Sequence, residues 1–353
     1  MYSELTKHLA ESNYAFVCPS PETQARVVRK KESDCSTQRA QSAEDIFGWN
    51  LAATKYSPPY RHSTIQANKP IRKVLQKILP TNVLEHLLKE SVLLPEADND
   101  TYRSTIRISN FYVPQIPYDN TGTATLYYIH SSFPSSSDSV FFGPDTYLFT
   151  TFLSSATQHL QNDPTSIVDI CCGSGAGAIH MARSYPRSKV LGLDLNPRAL
   201  VLGSVNTKLA GIEVDFYESN LYSNIPESLS SEGIDLIVSN PPYIASSKDG
   251  HDIPIYADGG AGFGLDISLR IVEEGMKILS PSGVIMLYTG VAIPSGRPGY
   301  DPFLDKLKQV EEAEIVEYSI LHPDMWSEEI GKGAYADVGR IQVIGAVLGR
   351  KGR

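Results

Sequence analysis

Ser166-Ile167-Val168-Asp169-Ile170-Cys171-Cys172-Gly173-Ser174-Gly175-Ala176-Gly177 decides how the second half of this chain folds. The apolar run Ser166–Cys171 reads as a buried strand, and it breaks into a turn of glycines and small residues. From Ala176 to Ser184 apolar positions recur at helical spacing, so a helix follows the turn at once. Glycines there let the backbone approach a ligand closely, and the helix N-terminus behind them presents free N–H groups. A turn of this kind also serves plain helix–strand packing, so alone it identifies no ligand. No Gly-Lys-Ser/Thr follows it, which excludes a phosphate-binding P-loop.

The alternation continues downstream. Lys189–Asp194 reads as a strand, Pro197–Ala210 as a helix, Val214–Glu218 and Ile234–Ser239 as strands. A helix over Gly264–Leu279 and a strand over Gly283–Thr289 follow, then Ile315–Leu321 and Val338–Leu348 as two strands without a helix between them. Strands alternating with helices predict an α/β fold with a mostly parallel sheet covered on both faces, and the last pair predicts an antiparallel edge. Asp194 ends the second strand, 25 residues after Asp169. An acid there reaches the two ribose hydroxyls of a nucleoside lying across the strand ends. Turn and acid together indicate an adenosine-type cofactor, either NAD or S-adenosylmethionine (SAM).

Upstream, Ser131-Ser132-Phe133-Pro134-Ser135-Ser136-Ser137-Asp138-Ser139 cannot build a packed element and predicts a linker over 131–139, between a domain at 1–130 and another at 140–353. Residues 1–130 read as a small α+β domain. It has a helix after Ser42, helices over Lys69–Leu79 and Thr81–Ser91 with Thr81 as N-cap, and strands over Tyr102–Val113 and Ala124–Ile129. Its expected role is substrate recognition. The 353 residues are 41% hydrophobic and 20% charged, a balance that excludes a disordered chain, a collagen-like fibre or a disulfide scaffold. Charge is uneven: residues 1–130 carry 15 basic and 13 acidic side chains, residues 131–353 carry 16 and 27. So acidic a second half disfavours phosphate backbones, hence nucleic acid, as substrate. Cys18, Cys35, Cys171 and Cys172 lack metal-knuckle or redox spacing and read as reduced thiols, and no metal is expected. Without a visible signal peptide or an apolar span of ~18 residues, a soluble, cytoplasmic protein free of membrane contact is expected.

The second chemical signal is Ile237-Val238-Ser239-Asn240-Pro241-Pro242-Tyr243-Ile244, after the fourth strand. Two prolines and an asparagine are common turn formers, but the carboxyl end of this strand is where an open α/β sheet places its reactants. Asn240 offers a side-chain carbonyl, and the rigid prolines aim the Pro241 carbonyl into the same space. Two acceptors can hold an N–H₂ group so that its lone pair faces an electrophilic methyl. Tyr243 adds a flat face for stacking on a planar acceptor. The motif favours SAM over NAD.

Residues from about 140 to 350 resemble the class I SAM-dependent methyltransferases, in the Asn-Pro-Pro-Tyr branch that contains the glutamine-N5 protein methyltransferases acting on release factors, here with an extra N-terminal domain. The likeness extends to Ile253–Asp266, where Gly259-Gly260 precedes Gly264-Leu265 and a helix, and to Val140–Tyr147, which looks like the family's entry segment over the methionine end of SAM. The resemblance implies a seven-stranded, mostly parallel Rossmann-like sheet with helices on both faces. It also implies SAM as cofactor, held by Thr146, Asp169, Cys171, Gly173, Gly175, Asp194, Leu195, Asn220, Leu221 and Asn240. Asn240, Pro241 and Tyr243 take the catalytic positions, with Tyr243 facing the substrate; apart from the resemblance, His251, in the loop after Tyr243 where an acceptor would enter, and Trp326, in the long loop between the last two strands, are read as substrate contacts.

Three departures stand out. Cys171 replaces the usual glycine two residues after the motif acid, and Asn220 with Leu221 replaces the acid near adenine. Tyr288–Pro294 and Asp324–Ile330 differ from the release-factor enzymes. The expected activity is methyl transfer to a nitrogen, amide or amine, of a protein, peptide or small-molecule acceptor. The alternatives are N6-adenine or N2-guanine methylation of nucleic acid, or O-methylation of a small metabolite. His180 reads as a core or surface residue rather than a catalytic one.

Overall fold

The computed structural model describes residues 1–20, 23–24, 26–28, 30, 42–48, 53–54, 75–95, 101–111, 126–132, 137–246 and 254–352. The chain forms two compact units, one of Met1–Tyr112, Asp119–Phe133 and Phe142–Pro144, the other of Val113–Tyr118, Pro134–Phe141 and Asp145–Arg353.

The first unit is α+β. The helix after Ser42 spans Ala43–Phe47 and starts with a reciprocal cap: Asp45 N–H donates to Ser42 Oγ and Ser42 N–H donates to Asp45 Oδ2. The next described helix is Thr81–Lys89, capped by Pro80, so Thr81 is its first residue rather than its cap. Of the expected Lys69–Leu79 helix, residues 69–74 lie outside the described residues, and 75–78 are helical. The strand expected over Tyr102–Val113 is two strands, β3 (Thr101–Ser104) and β4 (Ile106–Phe111). Ser104 explains the break: its Oγ donates to Ile106 O and accepts from Ile106 N–H, local bonds that compete with the ladder. β3 pairs with β1 (Ala53–Thr54) and β2 (Leu93–Pro95), whereas β4 pairs antiparallel with β5 (Leu126–Ser131).

The second unit carries the expected α/β pattern. Its strands are β6 (Ser166–Ile170), β7 (Lys189–Asp194), β8 (Asp215–Glu218), β9 (Ile234–Ser239), β10 (Leu279–Pro294), β11 (Ala313–His322) and β12 (Val338–Arg350). They form one seven-stranded sheet in the order β11-β12-β10-β9-β6-β7-β8, parallel from β10 to β8 and antiparallel on both sides of β12. Side-chain direction alternates along each strand. Val168, Ile170, Ile237, Ile285 and Leu287 join one apolar cluster with Leu269, Val272 and Met276 of the helix Asp266–Ile278. Ile167, Leu236, Val238, Val284 and Met286 join another, with Phe149 and Leu153 of the helix Pro144–Ala156 and Met181 of the helix Ala176–Ser184. Both faces of the sheet are therefore covered, as continuous apolar strands require.

β10 is longer than the expected Gly283–Thr289 because β12 pairs with it from Val284 to Pro294. The helix expected from Gly264 begins at Asp266, since Gly264 holds a left-handed backbone, φ +82°. Among the described residues Cys18, Cys171 and Cys172 form no disulfide. Among the described residues no helix is long and apolar enough to cross a membrane.

Candidate active site

β6 lies between β7 and β9, so the connections run in opposite directions from its carboxyl end. Open α/β sheets bind ligands at this reversal point, and a cavity of about 760 Å³ lies there, wholly within the second unit. Its wall includes Thr146, Asp169, Cys171, Gly173, Asp194, Leu195, Asn220, Leu221, Asn240, Pro241, Tyr243 and Trp326. Sequence reasoning named all twelve.

The glycine turn is built from left-handed residues: Cys171 at φ +58°, Gly173 at +53° and Gly175 at +82°. Gly173 faces open space, where an added Cβ would meet nothing within 4 Å. Gly175 is different and is absent from the cavity wall. Its Cβ position lies 3.3 Å from Gly203 Cα and 3.2 Å from the Phe216 ring, so this glycine serves packing rather than direct contact with a ligand. Asp194 closes β7, and its carboxylate accepts Gly173 N–H at 2.8 Å and Asn196 N–H at 2.9 Å. Burial pushes this carboxyl up, and those N–H groups pull it partly back. Asp169 accepts Ala178 N–H through Oδ2 at 2.8 Å, while Oδ1 is buried without a partner among the described residues. Burial, with Asp194 nearby, raises its pKa to about 8.

At the end of β9, Asn240 makes no hydrogen bond to the described residues, which leaves its amide turned over to whatever fills the cavity. The chain beyond it is pinned by Ile244 N–H to Ala257 O (2.9 Å), Gly259 N–H to Ile244 O (2.8 Å) and Ala245 N–H to the Tyr335 hydroxyl (2.7 Å). Glycines make room for Tyr243. A Cβ at Gly290 would meet its ring, and one at Gly259 would meet its Cα at 2.6 Å.

Tyr243 is more deeply fixed than a stacking platform needs to be. Its hydroxyl donates to Asp145 Oδ1 at 2.5 Å and accepts from Trp326 Nε1 at 2.7 Å, and Tyr288 donates to the same Asp145 oxygen at 2.7 Å. Asp145 Oδ2 is buried without a partner among the described residues. Burial pushes the Asp145 carboxyl up, against the pull of the two phenols. Sequence reasoning assigned neither Asp145 nor Tyr288 to the site. An acid in the first turn of a helix reads as an ordinary complement to the helix dipole, and Tyr288 falls on a core position of an apolar strand. Trp326, expected to face the substrate, lines the cavity and adopts φ +60°.

His180 is buried in the helix after the turn, 2.9 Å from Ser154 Oγ, and burial lowers its pKa to about 4. It stays in the core. His251 and Asp252 lie outside the described residues. Among the described residues no cluster of three or more His, Cys, Asp or Glu is arranged to hold a metal ion.

Comparison with known proteins gives a concordant result. A release factor glutamine methyltransferase of Geobacter sulfurreducens is 32% identical over 134 residues, 36% of this chain and 45% of the relative. One from Deinococcus radiodurans is 32% identical over 130 residues, 34% of this chain and 44% of the relative. A ribosomal protein uL3 glutamine methyltransferase of Neisseria gonorrhoeae is 32% identical over 132 residues, 35% of this chain and 42% of the relative. The chain spans less than half the length of these curated relatives. Over residues 150–295 it matches the family model of the methyltransferase small domain, the segment that holds the glycine turn, Asp194 and Asn-Pro-Pro-Tyr.

Proposed function

We propose that this protein is a methyltransferase that moves the methyl group of SAM to a nitrogen, amide or amine, of its acceptor. The observation that carries the reading is the placement of Asn240 and Pro241 on the same cavity wall as the glycine turn and Asp194. One end of the cavity suits a nucleoside and the other presents two carbonyl acceptors to an N–H₂ group. The names of the relatives specify glutamine as their substrate, and an amide nitrogen suits that pair of carbonyls. Base methylation in nucleic acid is disfavoured by the acidic second half, and O-methylation leaves Asn240 without a second N–H to accept.

The residues present fit SAM. A carboxylate has about four lone-pair sites, so Asp194, which already accepts two N–H groups, has capacity for two ribose hydroxyls. Leu195, half exposed on the cavity wall, offers an apolar edge to a planar base. Bound SAM supplies a methyl group activated by its sulfonium. The chain's task is then positioning: Asn240 and Pro241 orient the acceptor N–H groups, and the lone pair is aimed along the transfer axis. No strong general base is needed, in keeping with a motif that offers the carbonyls of Asn240 and Pro241 rather than a His–acid pair.

The test is thermal unfolding with SAM and with NAD. At about 100-fold excess over Kd a native-state ligand stabilises by ~2.7 kcal/mol, a rise of several degrees in Tm. SAM is expected to give that rise and NAD none; the opposite result overturns the cofactor assignment.

Asp194→Ala is expected to act on cofactor binding. Hydrogen bonds to a charged group contribute ~1.5–3 kcal/mol, so SAM affinity should fall roughly ten- to hundredfold in a calorimetric titration. Unchanged affinity would mark Asp194 as the anchor of the glycine turn and nothing more.

A further inference from the structure

Asp145 lies in the first turn of the helix Pro144–Ala156, and one oxygen of its carboxyl joins that helix to two other parts of the second unit. Tyr243, at the end of the Asn-Pro-Pro-Tyr motif, donates to Oδ1 at 2.5 Å, and Tyr288 of β10 donates to the same oxygen at 2.7 Å. All three side chains are buried. A buried carboxyl is costly unless its oxygens are bonded, and Oδ2 has no partner among the described residues. An apolar residue at this place would be less costly to bury. What the carboxyl does is therefore to hold the two phenols, not to fill space. Of the two, Tyr243 is held from both sides, because its hydroxyl also accepts Trp326 Nε1–H.

The stretch between β9 and Tyr243 is Asn240-Pro241-Pro242. Each proline lacks an N–H and fixes its own φ near about −65°. Each also confines the residue before it to extended backbone, so Asn240 and Pro241 are both restricted. A stretch with so few soft torsions and so few N–H groups takes its orientation from its two ends. The upstream end is rigid: Ile237, Val238 and Ser239 are paired on both sides, with Ile285–Leu287 of β10 and Val168–Ile170 of β6, and Ser239 Oγ donates to Ile170 O at 2.6 Å. The downstream end is Tyr243, whose ring runs to Asp145. We propose, on the basis of the methyl-transfer reading, that Asp145 is a positioning residue for the transfer: by holding the Tyr243 hydroxyl it sets the direction in which the Asn240 and Pro241 carbonyls face the acceptor nitrogen. Tyr288, the second donor on the same oxygen, keeps the carboxyl itself from turning.

The Asn240 side-chain amide reports on this without any acceptor. In full-length protein labelled with ¹⁵N-asparagine and saturated with S-adenosylhomocysteine, its NMR signal is the one that disappears in Asn240→Ala. Asp145→Ala and Tyr243→Phe each delete the bond between the two residues, and each is expected to move that signal well beyond its linewidth. Because they remove one shared interaction, the double variant should move it no further than the larger single shift. Asp145→Asn keeps a carbonyl for the phenols and should leave the signal close to that of the parent. Calorimetric binding of S-adenosylhomocysteine shows that each variant is folded. An Asn240 signal that stays put in Asp145→Ala, or shifts that simply add in the double variant, overturns the proposal and leaves Asp145 as a residue of the core. Should Asp145→Ala fail to fold, Trp326→Phe takes its place. It removes the other partner of the Tyr243 hydroxyl and should move the signal much less than Tyr243→Phe; equal shifts overturn the proposal. Failure of the parent to bind S-adenosylhomocysteine overturns the methyl-transfer reading instead.

Discussion

Asn240→Ala is expected to lower kcat about 10²–10³-fold, a loss of ~2.7–4 kcal/mol, while SAM affinity stays nearly intact. The asymmetry follows from position. Asn240 follows β9 and lines the cavity without a hydrogen bond to the described residues, so truncating its side chain breaks no contact that holds the fold. Asp194, proposed to hold the ribose, sits at the end of β7, two strands away, and is untouched. On the proposed reading, what disappears is one of two carbonyls that orient the acceptor nitrogen, an interaction used at the reacting centre. Single-turnover methyl transfer and SAM calorimetry on the same sample separate the two effects. Full turnover in Asn240→Ala would reduce Asn-Pro-Pro-Tyr to a turn.

Tyr243 should behave otherwise. Its hydroxyl links Asp145 and Trp326, so its loss disturbs both residues at once, a link that no sequence pattern signals. The legible parts of this protein were those that repeat with a period. Alternating strands and helices in residues 166–350 are readable because the central strands β6, β9 and β10 are apolar on both faces, and the glycine turn and Asp194 sit at fixed places on that frame. Asp145 and Tyr288 were not readable. Their partnership joins residues 143 positions apart through a single oxygen, and no local pattern encodes such a pairing. The break between β3 and β4 was hidden for another reason. Ser104 and Thr105 fit an alternating strand as well as any residues, and it takes the bonds of Ser104 Oγ to Ile106 and of Thr105 to Val92 to divert the backbone.

Gly264→Ala is expected to be among the most damaging small substitutions in the chain. At φ +82° an added Cβ costs ~1–2 kcal/mol by conformation alone. Here it would also lie 2.1 Å from the Tyr243 carbonyl oxygen and 2.6 Å from its carbon, which are backbone atoms of the Asn-Pro-Pro-Tyr segment. Backbone cannot swing aside as a flexible side chain can, so the overpacking cost falls at the upper end of ~1–3 kcal/mol. Together these take about 3–5 kcal/mol from a fold of ~5–15 kcal/mol. Gly211→Ala supplies the comparison. Gly211 has φ +67° at the end of the helix Pro197–Ala210, with nothing within 4 Å of an added Cβ, so it bears the conformational cost without the collision. Thermal unfolding of both variants should therefore show a drop of roughly 10 °C for Gly264→Ala and a few degrees for Gly211→Ala. Equal drops would mean that the segment around Tyr243 yields to the methyl group. In that case the shift should surface as lost turnover in the folded variant, since the carbonyl that moves belongs to the residue next but one to Pro241.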